Sequence, residues 1–186
     1  MIFTETKLAG AYLVELERHE DERGFFALSW SAKEFVARGL DARLVECNVS
    51  FNRKAGTLRG MHYQQSPHGQ IKLVRCTRGA IFDVIIDLRP DSPTFKQWVG
   101  VELTADNHSA LYVPEDFAHG FQTLTGDSEV LYQMSSPYEP SAGRGVRWND
   151  PAIRIELPLP VNVIAERDAT FPLLGTSSID PSSISK

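Results

Sequence analysis

A chain of 186 residues that is 42% hydrophobic and 23% charged has the balance of a folded protein with an ordinary core, which sets aside a disordered or low-complexity chain. Its formal net charge of -5 lacks the basic footprint that nucleic-acid phosphates demand, yet leaves room for a small anion held by local cations. No run approaches 18 apolar residues, MIFTETKLAG lacks the apolar centre of a secretion signal, and Cys47 and Cys76 form no CxxC, so a cytoplasmic protein with two free, mostly buried thiols and no membrane contact is expected.

Residues 11–17 read as a strand and run into the turn-like HEDERG; residues 25–30 predict a second short strand. Ser31 with Glu34 three positions on is the pattern of a reciprocal helix cap, and Gly39 supplies a stop. Strand character resumes at 44–50, breaks at the polar turn 52–56, and returns at 58–64, 71–76 and 81–88, with a Pro- and Gly-containing loop at 64–70. Two prolines interrupt 89–94, after which strands are predicted at 97–103, 110–113, 120–124 and 129–134, with 114–119 as a loop. The connection 135–145 is polar, prolines interrupt WNDPAIRIELPLP, and GTSSIDPSSISK at the end is small and polar, partly ordered at best. Many strands with Gly and Pro turns and one helix in the first 135 residues describe an all-β barrel or sandwich. With no repeat or linker, residues 1–175 read as one domain and 176–186 as a flexible tail.

The central strands carry groups that a purely structural strand would not. Alternation places Gly60 and His62 on one face against Arg59, Met61 and Tyr63, and Lys72, Val74 and Cys76 against Ile71, Leu73 and Arg75. Asp83 and Asp87 sit inside an apolar run, where an unpaired charge is costly. No Walker loop, G-x-G-x-x-G, H-E-x-x-H or G-x-S-x-G occurs, and His62, His108 and His119 have no spacing that makes a closed metal site, so no metal is assigned. The better grouping is His62 and Tyr132 for proton transfer, Lys72 and Arg59 as cations, and Asp168 as the carboxylate that orients an imidazole. Each has an ordinary structural account as well: a satisfied core histidine, a packed tyrosine, and in Asp83 and Asp87 carboxylates that brace neighbouring strands and stay outside the catalytic set.

The words DERGFF, LRGMHYQ, KLVRC, FDVIIDLR, SPTFKQWVGVEL, YVPEDFAHGF, VLYQ, WNDP and ERDATFPLL occur in this order between about residues 20 and 174. With them the chain resembles the dTDP-4-dehydrorhamnose 3,5-epimerases. The resemblance implies a cupin-type jelly-roll barrel with a few short helices, no metal or organic cofactor, and a homodimer whose N-terminal strands are exchanged. It implies a nucleotide diphosphate sugar as substrate, a 4-keto-6-deoxyhexose inverted at C3 and C5. Residue by residue, His62 matches the family base, Asp168 its carboxylate, Tyr132 the opposing acid and Lys72 the enolate-stabilising cation. Arg59 and His119 match positions near the diphosphate and sugar, Arg23 an arginine from the partner, and Tyr138 a ring near the nucleoside; Asn48 and Arg167 complete the substrate-binding set.

Departures from the family lie toward the nucleotide. Leu28 and Gly143 replace usual glutamates, Glu46-Cys47-Asn48 replaces Gln-Asp-Asn, Arg167 replaces a lysine, and Met61 replaces the commoner leucine. A CDP-, UDP- or GDP-linked sugar, inversion at one centre only, and a non-catalytic sugar-nucleotide-binding barrel therefore stay open.

Overall fold

A computed structural model describes residues 1–174; the expected tail at 176–186 lies outside them. The described strands and helices are β1 (Ile2–Glu5), β2 (Tyr12–Glu15), β3 (His19–Asp21), β4 (Gly24–Phe26), α1 (Ala32–Val36), β5 (Glu46–Asn52), β6 (Thr57–Gln64), β7 (Lys72–Arg78), β8 (Ala80–Asp87), β9 (Trp98–Thr104), β10 (Ala110–Val113), β11 (Phe117–Thr123), β12 (Ser128–Met134), β13 (Gly143–Gly145), β14 (Val163–Ile164) and α2 (Glu166–Ala169). A six-stranded sheet runs β1-β2-β10-β7-β12-β5, and a second runs β13-β6-β11-β8-β9 with β14 added beside β6. The hairpin β3-β4 stands apart from both.

The two sheets share an apolar interior that includes Val74, Cys76, Ile81, Ile85, Leu111, Phe121 and Val130, which makes the body a jelly-roll barrel. Part of each outer face is covered too. Phe35 of α1 closes over Val14, Leu73, Ala110 and Tyr112. The segment carrying Val146, Ile153 and Ile155 closes over Leu58, Met61, Val84 and Ile86. The near-continuous apolar run of β8 follows from this layering, since Ile81 and Ile85 fill the barrel while Val84 and Ile86 meet the outer layer. The alternation predicted for β7 holds for the same reason: Val74 and Cys76 point inward and Leu73 outward.

Several local expectations are corrected. The strand expected at 25–30 shrinks to β4, half of a hairpin that joins neither large sheet and whose Phe26 is 79% exposed. Ser31 occupies the cap position of α1 without a side-chain hydrogen bond; Glu34 instead pairs with Arg38 one turn on. Gly39 does end the helix, at φ +70, with its N–H on the Val36 carbonyl. His119, placed in a loop by the sequence reading, lies inside β11, whose strand begins directly after Asp116 at φ +60. Cys47 is exposed and only Cys76 is buried.

Candidate active site

The site begins with an irregularity in β6. His62 lies opposite His119 and Arg59 opposite Phe121, so three steps along β6 match two along β11. The extra residue is a bulge, which re-aims the side chains that follow it. Gly60 and Gly120 let the backbones pass: a Cβ on Gly120 would lie 2.4 Å from the Arg59 carbonyl oxygen. Strict alternation is therefore overturned here. Arg59 and His62 share one cavity wall, and Met61 turns into the outer apolar layer.

That wall borders a cavity of about 320 Å³, within the range of small-ligand sites. Arg59, His62 and Tyr63 come from β6, Lys72 from β7, His119 from β11, Tyr132 from β12 and Asn48 from β5, with Arg144 from β13, Arg167 from α2 and Tyr138 from the segment after β12. His62 and Tyr132 thus belong to opposite sheets and line one space.

Asp168 reaches His62 from α2. Val163 and Ile164 pair in parallel with Thr57 and Leu58 at the start of β6, and the chain then turns into α2 beneath the bulge. Asp168 Oδ1 lies 2.8 Å from His62 Nε2, and its Oδ2 accepts the Gly60 N–H at 3.0 Å. Burial pushes the Asp168 carboxyl upward in pKa, but the bonds from His62 and Gly60 hold it below the usual carboxylate value. An ionised carboxylate only accepts, so Nε2 carries a hydrogen, and in the neutral imidazole the lone pair lies on Nδ1. The Phe171 ring meets the imidazole edge-on at 5.7 Å between centroids.

A second carboxylate–imidazole pair lies deeper. Asp83 Oδ1 is 2.7 Å from His119 Nε2, both residues are buried, and Asp83 Oδ2 has no hydrogen-bond partner among the described residues. Burial disfavours the charged form of His119, against the pull of Asp83. Lys72 is buried as well: this lowers its ammonium to about 8, with Asp83 opposing the shift, while Nζ donates to the His62 carbonyl at 3.3 Å. Burial, and then Asp83, raise the Tyr132 phenol, which therefore keeps its proton at neutral pH.

Of the residues named from sequence, His62, Lys72, Tyr132, Asn48, Arg59, His119, Tyr138 and Arg167 gather at the cavity, with Asp168 behind His62. Arg23 does not: it sits exposed at the turn of the β3-β4 hairpin, bound to Asp21. Asp83, left out of the set, lies directly against His119 of that cavity. The signal was there, since Asp83 falls on the inward face with Ile81 and Ile85, but its partner lies 36 residues away. Asp87 is the brace it was read as, bound by Arg89, Ser92 and Thr94, which hold its carboxyl at about 2 although burial pushes the other way. Among the described residues no three His, Cys, Asp or Glu side chains gather as a metal set.

Residues 5–176 match the family model described as dTDP-4-dehydrorhamnose 3,5-epimerase. The enzyme of that name from Salmonella typhimurium is 43% identical over 176 residues, covering 94% of this chain and 96% of its own length. The crystal structure of the Bacillus anthracis enzyme, with TDP and PPi bound, has a TM-score of 0.89 at 43% identity over 93% of this chain and 99% of that one. The Legionella pneumophila enzyme in complex with dTDP-4-keto-L-rhamnose has a TM-score of 0.89 at 36% identity over 100% and 97%. With the barrel, the cavity and these likenesses in place, the chain belongs to the dTDP-4-dehydrorhamnose 3,5-epimerase family.

Proposed function

We propose that this protein is an isomerase that inverts C5 and C3 of dTDP-4-dehydro-6-deoxy-D-glucose, yielding dTDP-4-dehydro-L-rhamnose, by proton transfer through an enolate. The observation that carries this reading is the placement of an imidazole base and a protonated phenol on opposing sheets of one cavity, with Lys72 beside them.

In this mechanism His62 Nδ1 takes the proton from the carbon next to the C4 ketone, and the C–H electrons move through the new double bond onto O4. The Lys72 ammonium neutralises that oxygen as its charge develops, where a fixed cation in a site shielded from water is most effective. Tyr132 then gives its proton to the opposite face of the carbon, which inverts the centre. Asp168 stabilises the imidazolium formed on His62. The Asp83–His119 pair places a negative charge behind Lys72 and holds it in the ammonium form. Proton transfer of this kind changes no oxidation state and calls on no organic cofactor.

Arg59, His119 and Arg167 serve the diphosphate and sugar, Asn48 and Tyr138 the nucleoside side. The exposed apolar residues Phe25, Phe26, Val49 and Phe51 fit a homodimer with exchanged N-terminal strands, in which the partner's hairpin would bring an arginine equivalent to Arg23 to the cavity. Residues 1–175 act as one domain, and the cytoplasm, where such sugar nucleotides are made, is the assigned location; no described helix is long and apolar enough to cross a membrane.

The test is incubation with dTDP-, CDP-, UDP- and GDP-linked 4-keto-6-deoxyglucose in deuterium oxide, followed by NMR. Deuterium with inversion at both C3 and C5 of the dTDP sugar is expected. Exchange at one centre would redefine the enzyme as a single-centre epimerase, and no exchange on any of the four would overturn the assignment.

A further inference from the structure

We infer that Phe171 is a positioning residue for the base His62, seated by the missing side chain of Gly145. The inference rests on the proton-transfer role of His62 given above.

Asp168 fixes one ring nitrogen of His62, but a single hydrogen bond leaves the imidazole free to swing about it. The His62 side chain is 41% exposed, so solvent supplies no rigid wall on the cavity side. Phe171 supplies one from the protein side. Its ring stands at 77° to the imidazole, in the edge-to-face arrangement that aromatic pairs prefer.

The Phe171 ring is itself fixed from several directions. Gly145 is the β13 residue directly opposite His62 in the β6 ladder. A Cβ built there would fall 2.3 to 2.5 Å from three carbons of the Phe171 ring, closer than any real contact, so the phenyl occupies the place where every other residue would carry a side chain. The Phe171 carbonyl accepts Arg147 Nε at 2.7 Å, and three residues on, Leu174 N–H donates to Asp150 at 2.6 Å. On the other side, the guanidinium of Arg167 lies 5.5 Å from the ring centroid, within cation–π reach, and also borders the cavity. The ring therefore touches both the base and a cation of the substrate site. A shift of the base by even 1 Å from its attack geometry is worth about a hundredfold in rate.

The experiment compares parent, Phe171→Ala, Phe171→Leu, Gly145→Ala and the double variant Phe171→Ala/Gly145→Ala. Solvent deuterium incorporation into dTDP-4-keto-6-deoxy-D-glucose reports proton abstraction without requiring inversion, and dTDP titration with a thermal melt reports folding and binding. Phe171→Ala and Phe171→Leu are expected to slow exchange by about tenfold to a hundredfold through kcat, with KM and dTDP affinity within about threefold. Gly145→Ala is expected to do the same, because its methyl displaces the ring. In the Phe171→Ala background its effect should vanish, since nothing is left to displace. If Phe171→Ala proves unstable, Phe171→Leu carries the kcat comparison. Exchange within threefold of the parent in a folded Phe171 variant overturns the inference, as does a Gly145→Ala loss that persists undiminished in the double variant. A parent enzyme that exchanges no deuterium would instead count against the epimerase assignment.

Discussion

Asp168 and His62 are 106 residues apart in sequence and 2.8 Å apart in space, and the carboxylate that grips the imidazole also grips the Gly60 N–H two residues before it. One side chain thereby locks the base to its own strand. His62→Ala is expected to abolish deuterium exchange and epimerisation together, as no neighbouring group has a free basic lone pair in the same position. Asp168→Asn should cost less, because the imidazole remains while its tautomer and basicity are compromised. A general acid–base group is worth about 10²–10⁴-fold. Single-turnover exchange rates for both variants check the order; an Asp168→Asn variant slower than His62→Ala would reverse the roles.

Tyr132→Phe is expected to separate exchange from inversion. The base on β6 survives, so deuterium still enters with retention, while inversion falls by about 10²–10⁴-fold for want of a donor on the β12 side. Product stereochemistry followed over time by NMR decides it, and inversion at the parental rate would remove Tyr132 from the mechanism.

The charge of Lys72 is expected to set the alkaline limit. Burial lowers its ammonium to about 8, and above that pH the cation facing the developing oxyanion is lost, so kcat/KM should fall as pH rises through about 8. Bound substrate adds negative charge nearby and should carry the limb of kcat to higher pH. Asp83, which opposes the lowering, shares this region with His119, His62, Arg59 and Tyr132. Asp83→Asn removes the negative charge that raises the Lys72 ammonium, and the kcat/KM limb should move to lower pH. An unmoved limb in Asp83→Asn would show that another group controls it.

Gly120→Ala tests the bulge. The added methyl would meet the Arg59 carbonyl oxygen at 2.4 Å and Met61 Sδ at 2.5 Å, and backbone cannot yield as a flexible side chain can. A loss of at least about 2 kcal/mol in urea unfolding is expected, the upper part of the overpacking range, together with weaker binding of dTDP as Arg59 and His62 are pushed apart. A variant as stable as the parent would mean that the two strands separate freely.

Much of the architecture was legible in the chain because its signals are local. Lys72, Val74 and Cys76 alternate with Ile71 and Leu73 over a few residues, and the period of two assigns their faces whatever the strand pairs with. The helix stop at Gly39 was legible for the same reason, as φ is a property of one residue and its neighbours; Gly39 adopts +70. The catalytic grouping was suggested by side-chain chemistry, and family resemblance supplied the role of each residue in it.

What only the tertiary structure decided are relations between distant segments. The bulge in β6 exists because of its register with β11, so no alternation within LRGMHYQ could have put Arg59 beside His62 and turned Met61 away. Asp83 looked like a strand brace until β11 brought His119 against it, and Asp87, equally acidic and equally buried, became one because Arg89, Ser92 and Thr94 surround it. Phe171 meets His62 because Gly145, from a distant strand, leaves the space for its ring. Side-chain chemistry and strand period are short-range and written in the sequence, whereas the field, the hydrogen-bond partner and the free space around a group are set by whatever the folded chain brings within a few ångströms of it.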